Sequence, residues 1–161
     1  MVCVFQLSFA KVIEVLDVSC LQEQQKSCVA LGVFYKEDGR EAEGFQFFEQ
    51  ACTAGDAEGC HWKSKALLEG LGVAKDEDVA LTLLKQSCGD GFALSCFELG
   101  MYFADEGQQD LKRFTDYLDR GCSLGHKRSC RRLVEVYMKG YRTIDKDELL
   151  VEKYRKLSGD L

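Results

Sequence analysis

Cysteine recurs in this chain as four pairs of identical internal spacing: Cys20 and Cys28, Cys52 and Cys60, Cys88 and Cys96, Cys122 and Cys130. Each pair reads C-x7-C, and the first members fall 32, 36 and 34 residues apart. A period in this range marks a helical repeat array, in which each unit must stack on its neighbours to bury its apolar face. The spacing therefore constrains architecture before any single residue is interpreted.

The residues around the cysteines share a register. Three positions after the second cysteine stand Leu31, Lys63, Leu99 and Leu133; four after it, Gly32, Ser64, Gly100 and Val134; seven after it, Tyr35, Leu67, Phe103 and Tyr137. Offsets of three, four and seven form one stripe of an α-helix, here called helix A. Lys63 interrupts the stripe, and the stem of a lysine can lie along apolar surface while its charge reaches water. Four positions before the first cysteine stand Leu16, Phe48, Leu84 and Leu118, five before it Val15, Phe47, Leu83 and Tyr117, and immediately before it the small residues Ser19, Ala51, Ser87 and Gly121. These define helix B. Glycine-bearing turns separate A from B (Gly39; Gly70 and Gly72; Gly107; Gly140) and B from the next A (Gly55; Gly89 and Gly91; Gly125). The expected fold is all-α, a right-handed α/α superhelical solenoid of about four disulfide-linked helical hairpins. One domain covers residues 1–161, with a truncated first repeat at 12–26 and full repeats at about 27–59, 60–95, 96–129 and 130–161. The last helix B is expected over residues 147–157, with Ser158 where a further cysteine would fall.

Composition agrees. Hydrophobic residues make up 46% of the 161, proline is absent and glycine numbers 15, which suits short helices broken by glycine turns. The net charge of −6 argues against a general nucleic-acid binder. That charge is uneven: residues 126–161 carry ten Lys/Arg against six Asp/Glu, and residues 1–125 eleven against twenty-one. In an oxidising compartment the paired cysteines read as a disulfide ladder; in the cytosol zinc would compete. Zinc sites favour C-x2–4-C spacing and four converging ligands, whereas here the spacing is seven and only His61 and His126 stand by as supplements. Each C-x7-C spans a B-to-A turn, which returns the chain and lets the two Cα atoms approach the roughly 5.5 Å a disulfide takes. No metal and no cofactor are expected. Cys3 has no partner at the repeat spacing and reads as a free thiol, with an intermolecular disulfide as the alternative. Met1–Ala10 is apolar without a basic start or a small-residue cleavage site, so an export signal either preceded it or is not used; no stretch is long enough to span a bilayer.

The pattern C-x2-L-G-x2-Y, the turn Gly72-x-x-Lys75-Asp76 and a helix B ending in small-Cys resemble Sel-one-like repeats, relatives of the tetratricopeptide repeats. Cysteines at the B-to-A junction are similar to the cysteine-rich branch of that family, known from secreted Helicobacter cysteine-rich proteins, over about residues 12–161. Lys63-Ser64 and Val134 depart from the Leu-Gly pattern. The resemblance implies a periplasmic or secreted protein. A mitochondrial intermembrane-space assembly factor for a respiratory complex, built from similar cysteine-linked repeats, supplies the alternative compartment. Members of the bacterial branch bind penicillin and hydrolyse β-lactams weakly, so the resemblance also implies a β-lactam or peptidoglycan hydrolase as an alternative function. Serine enzymes of that class use Ser-x-x-Lys. Ser8-Phe9-Ala10-Lys11 matches, but no K-T-G or S-D-N companion follows. Neither C-x-x-C, a phosphate loop nor a dinucleotide fingerprint is present. No catalytic residue is assigned.

A binding surface is the remaining expectation. With the cysteine and its +3, +4 and +7 neighbours in the core, the +1 and +5 positions of helix A should line a concave face. They read Val29, His61, Phe97 and Arg131, then Val33, Lys65, Met101 and Glu135. The expected function is a non-enzymatic scaffold, monomeric, that docks a protein or peptide on this track, with neither nucleic acid nor a membrane span involved. Trp62, at +2, is expected either in the A/B interface or projecting outward.

Overall fold

A computed structural model describes residues 13, 14, 16, 20, 25–105 and 110–159. Within them the chain forms eight α-helices: α1 (Gln25–Glu37), α2 (Glu41–Thr53), α3 (Ala57–Glu69), α4 (Glu77–Gly89), α5 (Ala93–Ala104), α6 (Leu111–Ser123), α7 (Lys127–Lys139) and α8 (Glu148–Ser158). They alternate as A and B in the order the cysteine register demands. The last helix starts one residue later than expected because Asp147 is its cap: the carboxylate accepts a hydrogen bond from the Leu150 N–H at 3.0 Å. Asp56 and Asp110 do the same for α3 and α6. No described helix is long and apolar enough to cross a membrane. Cys3, Ser8, Lys11 and Gly107 lie outside the described residues.

All four C-x7-C pairs are disulfides, with Cα–Cα separations of 4.8, 4.3, 4.8 and 4.7 Å in chain order. The last three bridge turns of one construction. Gly55, Gly91 and Gly125 adopt φ of 87, 95 and 88°, and each donates its N–H to the carbonyl of the first cysteine. The next residue donates to the residue before that cysteine, as Asp56 to Ala51, Phe92 to Ser87 and His126 to Gly121. This is a Schellman close, which places a left-handed residue just past the helix and so selects glycine. A Cβ at any of the three would meet nothing within 4 Å, so backbone conformation and not space selects the residue. Behind each bridge two small residues face one another. Ser87 and Ser95 share a 2.7 Å hydrogen bond, Gly59 leaves no room for a Cβ against Ala51, and a Cβ on Gly121 would stand 2.7 Å from Ser129 Oγ.

The chain divides into two compact units, Met1–Leu83 and Leu84–Leu161, with the boundary inside α4. In the first, Cys20, Cys28, Val29, Leu31 and Ala51 form a buried cluster, against which Ile13, Leu16, Val33, Tyr35, Phe47 and Trp62 pack. Gly32 sits under the ring of Phe48, whose edge occupies the space a Cβ would need. The small residue four positions after the cysteine thus receives the large residue four positions before the next one. Gly32→Val should overpack this contact and cost about 1–3 kcal/mol, read as a lowered urea midpoint. The +7 ring of helix A stacks on the −5 ring of helix B, Tyr35 on Phe47 at 5.3 Å, with the Arg40 guanidinium 4.3 Å from the Tyr35 ring. Lys63, the break in the stripe, extends its ammonium to Glu49 at 2.9 Å.

The second unit repeats these contacts. Leu84, Leu99, Phe114, Leu118, Leu133 and Val136 are buried. A Cβ on Gly100 would meet Leu118 at 3.0 Å, and Phe103 stacks on Tyr117 at 5.6 Å with Arg113 over Phe103 at 5.2 Å. In the last hairpin Val134 stands where glycine stood, and Tyr137 stacks instead on Tyr154 at 5.9 Å. The Tyr154 hydroxyl and the Lys153 ammonium both donate to Asp119, at 2.7 and 2.9 Å, tying α8 to α6. Burial pushes the Asp119 carboxyl up, but those two hydrogen bonds outweigh it and hold the group below its usual range.

Candidate functional site

The second unit carries a groove between α5, α7 and the turn that follows α7. On α7, Ser129, Cys130, Leu133 and Val136 face the core. The opposite side then presents residues 128, 131, 132 and 135, which are spaced as one helical stripe and read Arg, Arg, Arg, Glu. On α5, Phe97 and Met101 are one turn apart, both half-buried. Together these six residues line a hollow of 480 Å³. A second hollow of 380 Å³ shares Met101 and Arg132 with the first and adds Tyr102, Asp105, Tyr141 and Arg142.

Ring contacts hold the arginines. Arg128 lies 5.0 Å from the Phe97 ring, while Arg132 and Arg142 lie 5.4 and 5.5 Å from the Tyr141 ring. Tyr141 rests in turn on buried Phe114 at 5.5 Å. Such contacts restrict long side chains that would otherwise sample many rotamers. The turn is closed by reciprocal backbone hydrogen bonds between Tyr141 and Ile144, at 3.0 and 2.8 Å. It holds Arg142 at φ 54°, the one non-glycine described residue with positive φ. Arg132 also pairs with Glu135 at 3.0 Å. The first turn of α7 has no acidic residue and opens with Lys127 and Arg128, so cations stand at the positive end of the helix dipole. His126 packs beside Phe97, its ring 5.0 Å away and its Nδ1 2.9 Å from Ser129 Oγ. Burial, then the nearby Arg128, holds the His126 imidazole below its ordinary pKa.

Phe97, Met101, Arg131 and Glu135, all expected on the +1 and +5 track, are brought together here. The four expected in the first unit form no such surface. Val29 and His61 are buried, Val33 is partly buried against the cluster behind them, and Lys65, also partly buried, pairs with Glu69 at 3.7 Å. The reason is Trp62. Its ring stacks on Phe48 at 5.7 Å and meets the edge of His61 at 5.6 Å, and Lys36 covers it at 4.7 Å. The hollow beside it is a narrow crevice lined by Lys36, Phe48, Trp62 and Lys65. Sequence reasoning missed Arg128, Arg132, Tyr141 and Arg142. The basic bias of residues 126–161 was the available signal, since it falls on α7 and its following turn.

All eight paired cysteines are consumed in disulfides, and no group of His, Cys, Asp and Glu among the described residues is placed to hold a metal ion. No protein-family model and no curated protein matches the sequence. Solved structures do. A protective antigen of uropathogenic Escherichia coli displaying an SLR fold aligns with TM-score 0.72 at 22% identity, over 92% of this chain and 33% of its own. A Sel1 repeat protein from Oxalobacter formigenes aligns with TM-score 0.79 at 19% identity, over 92% of this chain and 62% of its own. An immunity protein from Pseudomonas aeruginosa aligns with TM-score 0.74 at 17% identity, over 92% of this chain and 58% of its own. This chain thus spans between a third and about three fifths of the length of these proteins. At such identities the likeness speaks for the fold: this chain is an all-α, disulfide-linked repeat protein of the Sel1-repeat solenoid fold.

Proposed function

We propose that this chain is a non-enzymatic scaffold that holds a protein or peptide partner against the α5–α7 groove, as a monomer, in an extracytoplasmic and oxidising compartment. The observation that carries the reading is the convergence of Phe97, Met101 and Tyr141 with four arginines, three of them held against rings, on one open groove. Apolar anchors rimmed by arginine are the composition of binding hot spots. The compartment reading rests on four disulfides, which persist where thiols are not kept reduced. Two of the structures sharing the fold are immunity proteins of Pseudomonas aeruginosa.

The test places a photo-crosslinking residue at position 101 in the groove and, separately, at the exposed position 82. Irradiation in an extract of the native compartment should give a discrete polypeptide adduct from position 101 alone, competed by unlabelled chain and lost with Phe97→Asp. Absence of a polypeptide adduct at position 101 removes the groove as the binding face.

A further inference from the structure

We infer that the occupant of this groove is an acidic segment of polypeptide that carries an apolar or aromatic side chain among its carboxylates. The inference rests on the scaffold reading and adds the partner's chemistry. The two joined hollows are lined by Arg128, Arg131, Arg132 and Arg142 against the carboxylates of Asp105 and Glu135, a cationic excess in a protein of net charge −6. The excess is local and concentrated on one stripe of α7. Guanidinium groups are planar forks that match carboxylates two bonds at a time, and Arg128, Arg132 and Arg142 are already laid against rings, so little freedom is lost when a carboxylate arrives.

The backbone around these arginines is arranged at some cost. Lys127 and Arg128 oppose the α7 dipole, and Arg142 occupies a conformation that non-glycine residues avoid. Negative charge delivered into the groove offsets the first of these. The apolar half of the occupant follows from the floor, where Phe97, Met101 and Tyr141 offer a flexible thioether between two rings. Hollows of 480 and 380 Å³ admit a few side chains of an extended segment. A nucleic acid fits less well. Its charge continues along its length, and residues 1–125 oppose it with twenty-one Asp/Glu against eleven Lys/Arg, whereas a short acidic segment ends within the basic patch.

The experiment selects random linear peptides displayed on phage against the oxidised full chain, and measures the affinity of enriched sequences by fluorescence anisotropy. Enriched peptides should pair Asp or Glu with an aromatic or large aliphatic residue. Their affinity should fall roughly tenfold to a hundredfold with Arg128→Glu/Arg132→Glu, and fall with salt in the wild type. The milder Arg128→Ala, checked by circular dichroism to be folded, should give a smaller loss of the same sign. Enrichment of neutral or basic peptides whose binding still depends on Phe97 overturns the acidic partner and leaves the groove reading standing. Acidic peptides that bind the charge-reversed variants as well as the wild type overturn it equally. Tighter, arginine-dependent binding of a single-stranded DNA oligonucleotide assigns the patch to nucleic acid and overturns the inference. Binding indifferent to both Phe97 and the arginines removes the groove itself.

Discussion

Cys88→Ala/Cys96→Ala is expected to lower the unfolding free energy by about 2–3 kcal/mol, seen as a lower guanidinium midpoint under non-reducing conditions. The bridge closes a loop over a sequence separation of 8, and the entropy it removes from the unfolded chain scales with the logarithm of that loop. Its removal also leaves Ser87 and Ser95 joined across that turn by a 2.7 Å hydrogen bond in place of a covalent link. The four bridges together contribute about 10 kcal/mol on the same model, comparable with the whole stability of an ordinary domain, about 5–15 kcal/mol. Full reduction should therefore abolish the cooperative transition of the chain at moderate temperature. A reduced protein with nine titratable thiols and an unchanged melting curve would show that helix packing alone suffices.

Acidification is expected to destabilise the chain through His61, by about 3 kcal/mol between about pH 6.5 and about 4. His61 is fully buried, and burial first, then the positive Lys65, lowers its pKa from 6.5 to about 4. In the folded protein the imidazole stays neutral down to about pH 4, while the unfolded chain takes up its proton near pH 6.5. The unfolded state binds more protons throughout that window, so stability is highest above pH 6.5, declines on the way down and levels off below the folded pKa. Asp119, held below its usual value of 3.8, acts at lower pH and does not overlap this interval. His61→Gln removes this titration and should reduce the slope of denaturation midpoint against pH between those limits, leaving the contribution of the same sign from His126, whose pKa is also held below 6.5. An equal acid sensitivity in wild type and His61→Gln would assign the loss elsewhere.

Much of the fold was legible because each signal was local or periodic. The spacing of seven between paired cysteines, the small residues preceding them and the glycine three positions on belong to one helix-closing turn, so they are adjacent in sequence and in space. The stripe at +3, +4 and +7 follows from helical geometry alone. The exposure of +1 and +5 was not legible, because it depends on what a neighbouring element lays over them. The +2 position alone admits two orientations for Trp62; in the structure its ring stacks on Phe48 and lies against buried His61. In the second unit the same offsets carry Phe97 and Arg131, and with no tryptophan beside them they line an open groove.

The sequence by itself thus determined the helices, their pairing register and the four disulfides, since these depend on spacings of a few residues and on backbone rules that hold in any context. Only the tertiary structure decided which of the +1 and +5 residues share an open groove. A groove is made where α5, α7 and the Tyr141–Ile144 turn converge, and the rings that hold Arg128, Arg132 and Arg142 are supplied partly by residues distant in the chain. Helical periodicity states which residues share a side of one helix; it does not state which other side the chain will bring to meet it.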